Sequence, residues 1–171
     1  MVGELTAGLY GHSHPRLQEA LTFAIHNFGL SLGATNADEQ RYAGLLCARF
    51  GLDRLRFTNS GTEANLHCIA AARRYTGRRK VVVFRGAYHG SVLAFATGCA
   101  ANNVDPGDWI VVQYNDVAAL RRAFEGRNDI AAVVVEGMQG SAGCIPASPE
   151  FLGTIRELTT KVWKNMGATP R

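Results

Sequence analysis

The stretch LRFTNSGTEANLHCIAAARRYTGRRKVVVFR, residues Leu55–Arg85, decides the fold class of this 171-residue chain. It predicts a short strand at Leu55–Thr58, a helix at Thr62–Tyr75 and a buried strand at Lys80–Arg85, since short apolar runs bounded by turn residues are typical of strands. A strand followed by a helix and a second strand is the unit from which parallel sheets are built.

The same alternation continues toward the C-terminus. Strands are predicted at Trp109–Gln113 and Ile130–Val135, and a helix at Val117–Phe124. Apolar strands that alternate with helices predict an α/β fold of three layers, in which a mainly parallel sheet carries helices on both faces.

Two further helices are predicted upstream of this alternating region. The first begins at Pro15 and ends before Gly29, because proline suits the first helical turn and glycine commonly follows the last. The second starts after Asn36, with Glu39 three residues on as in a capping box, and ends at Gly51. Each predicted helix also has an apolar face at helical spacing, formed in the first by Leu17, Leu21, Ala24, Ile25 and Phe28 and in the second by Tyr42, Leu45, Leu46 and Phe50.

Composition and charge narrow the possible partners. The formal net charge of +4 is spread in arginine pairs without interleaved aromatic residues, which argues against a nucleic-acid partner. No apolar run approaches the ~18 residues that span a membrane. The cysteines are predicted to be buried free thiols in a reducing compartment, which favours a cytoplasmic location; they are Cys47, Cys68, Cys99 and Cys144.

The first candidate site is Ser60-Gly61-Thr62, between a predicted strand and a predicted helix. A helix start leaves backbone N–H groups without partners and carries a partial positive charge, so this segment could hold a phosphate. Ser60 followed by Glu63 is also a capping box, which closes a helix without any ligand. A phosphate- or nucleotide-binding module remains an alternative on this segment alone.

Two other candidate segments follow predicted strands. Gly86–Gly90 contains Tyr88, which could stack on a planar ring, although the segment taken alone favours a glycine-bounded turn with a half-buried Tyr. Glu136–Gly143 offers Glu136 and Gln139 as polar ligands, with a solvated loop as the alternative. Because parallel strands bind ligands beyond their carboxyl ends, all three segments are expected at one edge of the sheet.

A metal site is not predicted. His12-Ser13-His14 supplies two potential ligands, but no third ligand stands at a suitable spacing. The cysteines likewise show no zinc-binding spacing.

These motifs together resemble those of the class III, fold-type I pyridoxal-phosphate (PLP) aminotransferases, particularly the glutamate-1-semialdehyde aminotransferase-like branch. The resemblance covers nearly the whole chain, from about residue 3 to about residue 158. The motifs that carry it are Gly11–Pro15, Phe57–Asn65, Gly86–Gly90, and Val135-Glu136 with Met138-Gln139-Gly140.

The resemblance implies PLP as cofactor. The cradle at Ser60 to Thr62 would hold its phosphate, Tyr88 would cover one face of its ring with His89 beside it, and Glu136 would lie near its reactive side. The implied cofactor-binding residues are Ser60, Gly61, Thr62, Tyr88, His89 and Glu136. Position 137 is glycine where the family usually has proline.

Two groups that the family's chemistry requires are missing from this sequence. No Asp follows Asp129 to pair with the pyridine nitrogen, and no lysine stands in a family-like context to form the Schiff base. The lysines present are Lys80, Lys161 and Lys164. No catalytic residue is therefore assigned to this chain.

The resemblance implies a transaminase that moves an amino group between an amine or amino acid and a keto acid or aldehyde. This chain is expected to be a truncated and inactive form, and the full-length parent a homodimer. The alternative is a non-catalytic PLP-binding or dimer-partner fragment. The domains are predicted as an N-terminal segment at 1–36, a partial PLP-binding large domain at 37–158 and a divergent tail at 159–171.

Overall fold

The structure, a computed structural model, describes residues 4, 7–30, 33, 35–96 and 106–164. The chain divides into two compact units, residues 1–56 and residues 57–171. The predicted division at 36 and 158 stays a prediction, although the last helix runs through position 158.

The first unit contains two helices whose ends follow the local sequence signals. Helix α1 spans Pro15–Phe28 and α2 spans Ala37–Phe50, which confirms both predicted helices. The side chain of Asn36 accepts a hydrogen bond from the Glu39 backbone N–H at 2.8 Å, so it caps α2. Gly51 closes that helix in the left-handed conformation at φ 64°.

The second unit alternates helices and strands. In chain order the elements are α3 (Gly61–Thr76), β1 (Lys80–Phe84), β2 (Trp109–Val112), α4 (Val117–Phe124), β3 (Ile130–Val133), β4 (Met138–Gln139), β5 (Ile145–Pro146) and α5 (Pro149–Lys164). Strand β1 is central and pairs in parallel with β2 on one side and β3 on the other. The short strands β4 and β5 form an antiparallel hairpin.

One face of the sheet packs against α4 and α5. The core there includes Val82 and Phe84 of β1, Leu120 of α4 and Phe151 of α5, all fully buried. The rings of Phe84 and Phe151 meet edge to face with centroids 5.0 Å apart, a favourable aromatic geometry.

The opposite face packs against α3 and the segment after β1. Ile69 of α3 lies with Val81 and Val83 of β1 and with Leu93 and Phe95. Helices therefore cover both faces of a parallel sheet, and the predicted three-layer α/β architecture is confirmed for residues 57–96 and 106–164.

Two predictions about local structure were wrong. Leu55–Thr58 is irregular rather than a strand: a strand needs a hydrogen-bonded neighbour, and no strand of the described sheet pairs with this segment. Cys68 and Cys144 are exposed and Cys47 is half-buried, although all three are free thiols as predicted. Cys99 lies outside the described residues.

Candidate functional site

The start of α3 combines a helix cap with free backbone donors. The Ser60 hydroxyl accepts the Glu63 N–H at 3.1 Å, and the Glu63 carboxylate accepts the Asn59 N–H at 2.8 Å. The capping interpretation is therefore realised in the structure. Among the described residues, the N–H groups of Ser60, Gly61 and Thr62 have no protein partner.

The space beside the middle donor, Gly61, is open. A Cβ built on Gly61 meets no atom of the described chain within 4 Å. Helix starts attract anions because their N–H groups point outward and the helix dipole is positive there. The residues present thus fit a phosphate group.

The loop after β1 is seated directly on this helix start. The Thr62 hydroxyl oxygen accepts the Ser91 N–H at 3.0 Å, and the Asn65 side-chain amide donates to the His89 carbonyl at 2.7 Å. Gly90, at φ 133°, packs so closely that an added Cβ would lie 2.4 Å from the Thr62 hydroxyl oxygen. The cradle and the loop that carries Tyr88 therefore form one surface.

Glu136 joins that loop to the segment after β3. One carboxylate oxygen accepts the Tyr88 N–H at 3.0 Å, and the other accepts the Gly140 N–H at 3.0 Å. The Tyr114 hydroxyl donates to the Glu136 carbonyl at 2.8 Å. Burial raises the pKa of Tyr114, and the nearby Glu136 carboxylate raises it further.

Tyr88 and His89 differ in exposure. The Tyr88 side chain is 50% exposed, so its ring is available to a ligand. His89 is only 7% exposed, and its Nε2 atom is buried without a hydrogen-bond partner among the described residues. Burial lowers the pKa of His89, while the Glu136 carboxylate partly offsets this shift.

The structure thus brings together all six predicted cofactor-binding residues through contacts between α3, the loop after β1 and the segment after β3. Sequence reasoning missed Asn65 and Tyr114 as parts of this network, because their partners lie 24 and 22 positions away.

Gln139 differs from its predicted role as a ligand in a cleft. Gln139 is 2% exposed, and its side-chain amide donates to the Arg85 carbonyl at 3.0 Å. It therefore stabilises the start of the loop after β1 rather than contacting a ligand.

No metal centre and no membrane-spanning helix are found in the described part of the chain. In the ranges that the structure describes, no three potential ligand side chains lie close enough together to bind a metal ion. Among these same residues, every helix is too short or too polar to cross a membrane.

Comparison with known families identifies the chain. The model of the aminotransferase class-III family matches residues 1–163. The chain belongs to this family. The match includes the cradle at the start of α3 and all the other candidate site residues.

Individual relatives agree with this assignment. The chain is 48% identical over 163 residues to a beta-phenylalanine transaminase of Variovorax paradoxus. This alignment covers 94% of the chain and 37% of the relative. It is 39% identical over 173 residues to a glutamate-1-semialdehyde 2,1-aminomutase of Heliobacterium modesticaldum, covering 92% and 39%. The chain thus spans less than half the length of these curated relatives.

Solved structures show the same fold. The beta-phenylalanine aminotransferase of Variovorax paradoxus superposes with a TM-score of 0.87 at 47% identity, covering 94% of this chain and 37% of that one. A glutamate-1-semialdehyde aminomutase of Pseudomonas aeruginosa gives 0.82 at 29% identity, covering 94% and 38%. A transaminase described as having PLP bound gives 0.76 at 32% identity, covering 89% and 39%. The predicted fold-type I architecture is confirmed.

Proposed function

We propose that this chain holds PLP, and that the whole protein is a transaminase. The main observation that supports this proposal is the set of three unpartnered N–H groups at Ser60, Gly61 and Thr62. Open space lies beside Gly61, and Thr62 bonds to the loop that carries Tyr88. In this proposal the helix start binds the phosphate, Tyr88 covers the ring with His89 beside it, and Glu136 lies at the same surface. Two solved relatives are described as holding PLP or PMP.

The bound cofactor supplies an electron sink for a substrate carbon that loses its proton. The chain's own residues bind and orient it: the N–H groups at the helix start stabilise the negative charge of the phosphate, and Tyr88 shields one ring face from water. The whole protein would then move an amino group between an amine or amino acid and a keto acid or aldehyde. Such small molecules are the proposed substrates.

The 171-residue chain alone is proposed to bind without catalysing. Lys80 begins β1, whereas the site follows Phe84 at the other end of that strand, about 13 Å from Lys80 at ~3.3 Å per residue. Its ammonium group donates to the Gly107 carbonyl, away from the loop at Tyr88. Lys161 belongs to α5, on the sheet face opposite α3.

Replacing one backbone donor tests the cradle. Gly61 is the first residue of α3, where proline is well tolerated, and Ser60 before it is extended at φ −151° and ψ 160°, as a residue before proline prefers. Gly61→Pro therefore removes an N–H and fills the open space without breaking the helix. We expect the affinity for PLP to fall by about tenfold or more.

The matched control is Ala37→Pro, at the same first position of α2. Ala37 is exposed and follows the extended Asn36, so the fold should tolerate it equally. Its PLP affinity should stay within about twofold of the unmodified chain. Equal affinities for Gly61→Pro and the unmodified chain, by fluorescence titration, would contradict the proposed cradle.

The absence of a catalytic lysine has its own test. The purified chain is incubated with PLP, reduced with borohydride and digested for peptide mapping. We expect no pyridoxyl group concentrated on a single lysine. Stoichiometric labelling of Lys80, Lys161 or Lys164 alone would refute this part of the proposal.

We further propose that the whole protein is a cytoplasmic homodimer. In the first unit, α1 exposes Leu21, Ile25 and Phe28, and α2 exposes Leu45 and Phe50. Exposed apolar side chains in such number are typical of association surfaces. Size-exclusion chromatography of the whole protein with light scattering would contradict the dimer if it gave a monomer at all concentrations.

A further inference from the structure

Glu136 uses both carboxylate oxygens to bond backbone groups of two different segments. Oε1 accepts from Tyr88 after β1, and Oε2 accepts from Gly140 beside the β4–β5 hairpin. Hydrogen bonds from N–H groups to a carboxylate are roughly twice as strong as neutral ones. The side chain therefore links two loops rather than presenting an unbonded oxygen to the site.

The backbone of Glu136 is itself anchored to the core. Its carbonyl accepts the Tyr114 hydroxyl, and the buried Tyr114 ring packs edge to face on Phe84 and Phe151 at centroid distances of 6.0 and 5.3 Å. Side chains locked by packing are the ones that hold a site in a fixed geometry. Glu136 thus connects the rigid sheet core to the Tyr88 backbone.

The backbone of Tyr88 needs an anchor of this kind because the Tyr88 side chain makes few packing contacts of its own. Its ring is half exposed, so packing alone does not fix where the ring lies. The neighbouring His89 carbonyl is held by Asn65 and the Ser91 N–H by Thr62, both from the α3 side. Glu136 supplies the bond to Tyr88 itself, from the β3 side.

We infer that Glu136 is a positioning residue that acts through Tyr88 and does not bind the ligand itself. It fixes the backbone from which the Tyr88 ring projects over a planar ligand ring. The inference rests on the proposed function, in which Tyr88 covers the cofactor ring. It also replaces the direct cofactor contact expected of Glu136 from the sequence.

A double-mutant cycle on the full 171-residue chain tests this, with pyridoxamine phosphate as the probe because it does not react with lysines. Glu136→Gln keeps the size but replaces an accepting oxygen with an NH₂ group, and Tyr88→Ala removes the ring but keeps its N–H. Each single variant should lower the probe affinity by about tenfold. The double variant should bind within about twofold of Tyr88→Ala, since residues that act as a unit are not additive.

Inorganic phosphate separates the ring contact from the cradle. Glu136→Gln should leave phosphate affinity within about twofold, because the donors of α3 are untouched. The control Glu150→Gln, an exposed glutamate in the first turn of α5, should leave both affinities unchanged. Hydrogen exchange at the Tyr88 and Gly140 amides should be faster in Glu136→Gln only.

The outcomes are distinguishable. If the losses from Glu136→Gln and Tyr88→Ala multiply in the double variant, or if the two amides exchange at the original rate, Glu136 does not act through Tyr88 and the inference fails while the proposed function stands. If the unmodified chain binds neither pyridoxamine phosphate nor PLP, both are overturned.

Discussion

The hydroxyl oxygen of Thr62 lies 3.0 Å from the backbone nitrogen of Ser91 and accepts its hydrogen bond. This contact joins the first turn of α3 to the loop after β1, two segments separated by 29 positions. The loop can approach this closely because Gly90 carries no side chain where the Thr62 backbone passes. Thr62 and Gly90 therefore hold the proposed phosphate cradle against the loop that carries Tyr88.

Removing the Thr62 hydroxyl should loosen the loop without disturbing the helix. Thr62→Val keeps the branched shape but loses the acceptor, and we expect the free energy of unfolding to fall by about 1 kcal/mol. Thr62→Ser retains the hydroxyl and serves as the control, with a smaller loss. Urea unfolding of the three proteins measures the difference; equal losses in both variants would show that the hydroxyl contributes nothing.

A side chain at position 90 should be far more damaging. In Gly90→Ala the new Cβ would lie 2.7 Å from the Thr62 Cα, and φ 133° is unfavourable for any residue with a Cβ. We expect a loss of about 2–4 kcal/mol in the free energy of unfolding, with weaker PLP binding.

Gly153→Ala provides the matched control for this loss. Gly153 is exposed inside α5, and a Cβ there meets no atom within 4 Å. Alanine favours helix more than glycine does, so this variant should gain about 0.5–1 kcal/mol. Thermal or urea unfolding that ranks Gly90→Ala at or above the unmodified chain would contradict the close packing at Thr62.

The helices could be predicted from sequence because their ends carry local signals. Pro15 begins α1, Asn36 caps α2 and Gly51 ends it, and each signal acts within a few residues of itself. The strand expected at Leu55–Thr58 failed for the opposite reason. A strand depends on a neighbour that is distant in sequence, and apolar alternation alone does not supply that neighbour.

The candidate site was predictable as segments but not as a network. The proposed phosphate binding at Ser60 to Thr62 rests on a glycine between hydroxyl residues at a helix start, which is a local feature of the sequence. The bond between Tyr88 and Glu136 spans 48 positions, and nothing local indicates that Glu136 would bond to backbone rather than to a ligand. Such pairings follow from the parallel arrangement of β1 and β3, which brings both loops to one edge.

The core beneath this edge should depend strongly on Phe151. This residue is fully buried and contacts both Phe84 and Tyr114 edge to face, and Tyr114 in turn bonds the Glu136 carbonyl. Phe151→Ala should lower the free energy of unfolding by about 3–5 kcal/mol. Its neighbour Leu152 is partly exposed, so Leu152→Ala should cost less than about 1.5 kcal/mol in the same urea titration. Similar losses in the two variants would mean that α5 does not pack as the structure shows.

His89 should make the stability of the second unit depend on pH. Burial is the main cause that lowers its folded-state pKa below the ordinary value of 6.5, and the Glu136 carboxylate opposes the shift only in part. The unfolded chain therefore binds a proton more readily than the folded chain at pH values between the lowered pKa and 6.5. The stability that neutral His89 contributes is present above pH 6.5 and is lost as the pH falls toward the folded-state pKa.

Two variants check this sign. In His89→Leu the part of the pH dependence that comes from this imidazole should disappear, so urea unfolding at about pH 7.5 and about pH 5.5 should show a smaller loss on acidification than in the unmodified chain. In Glu136→Gln the opposing charge is removed, so NMR titration should give a still lower pKa for His89, because burial then acts without compensation. A pKa of His89 above 6.5 in the unmodified chain, or the same acid-induced loss of stability in His89→Leu, would show that the imidazole is not held neutral by its surroundings.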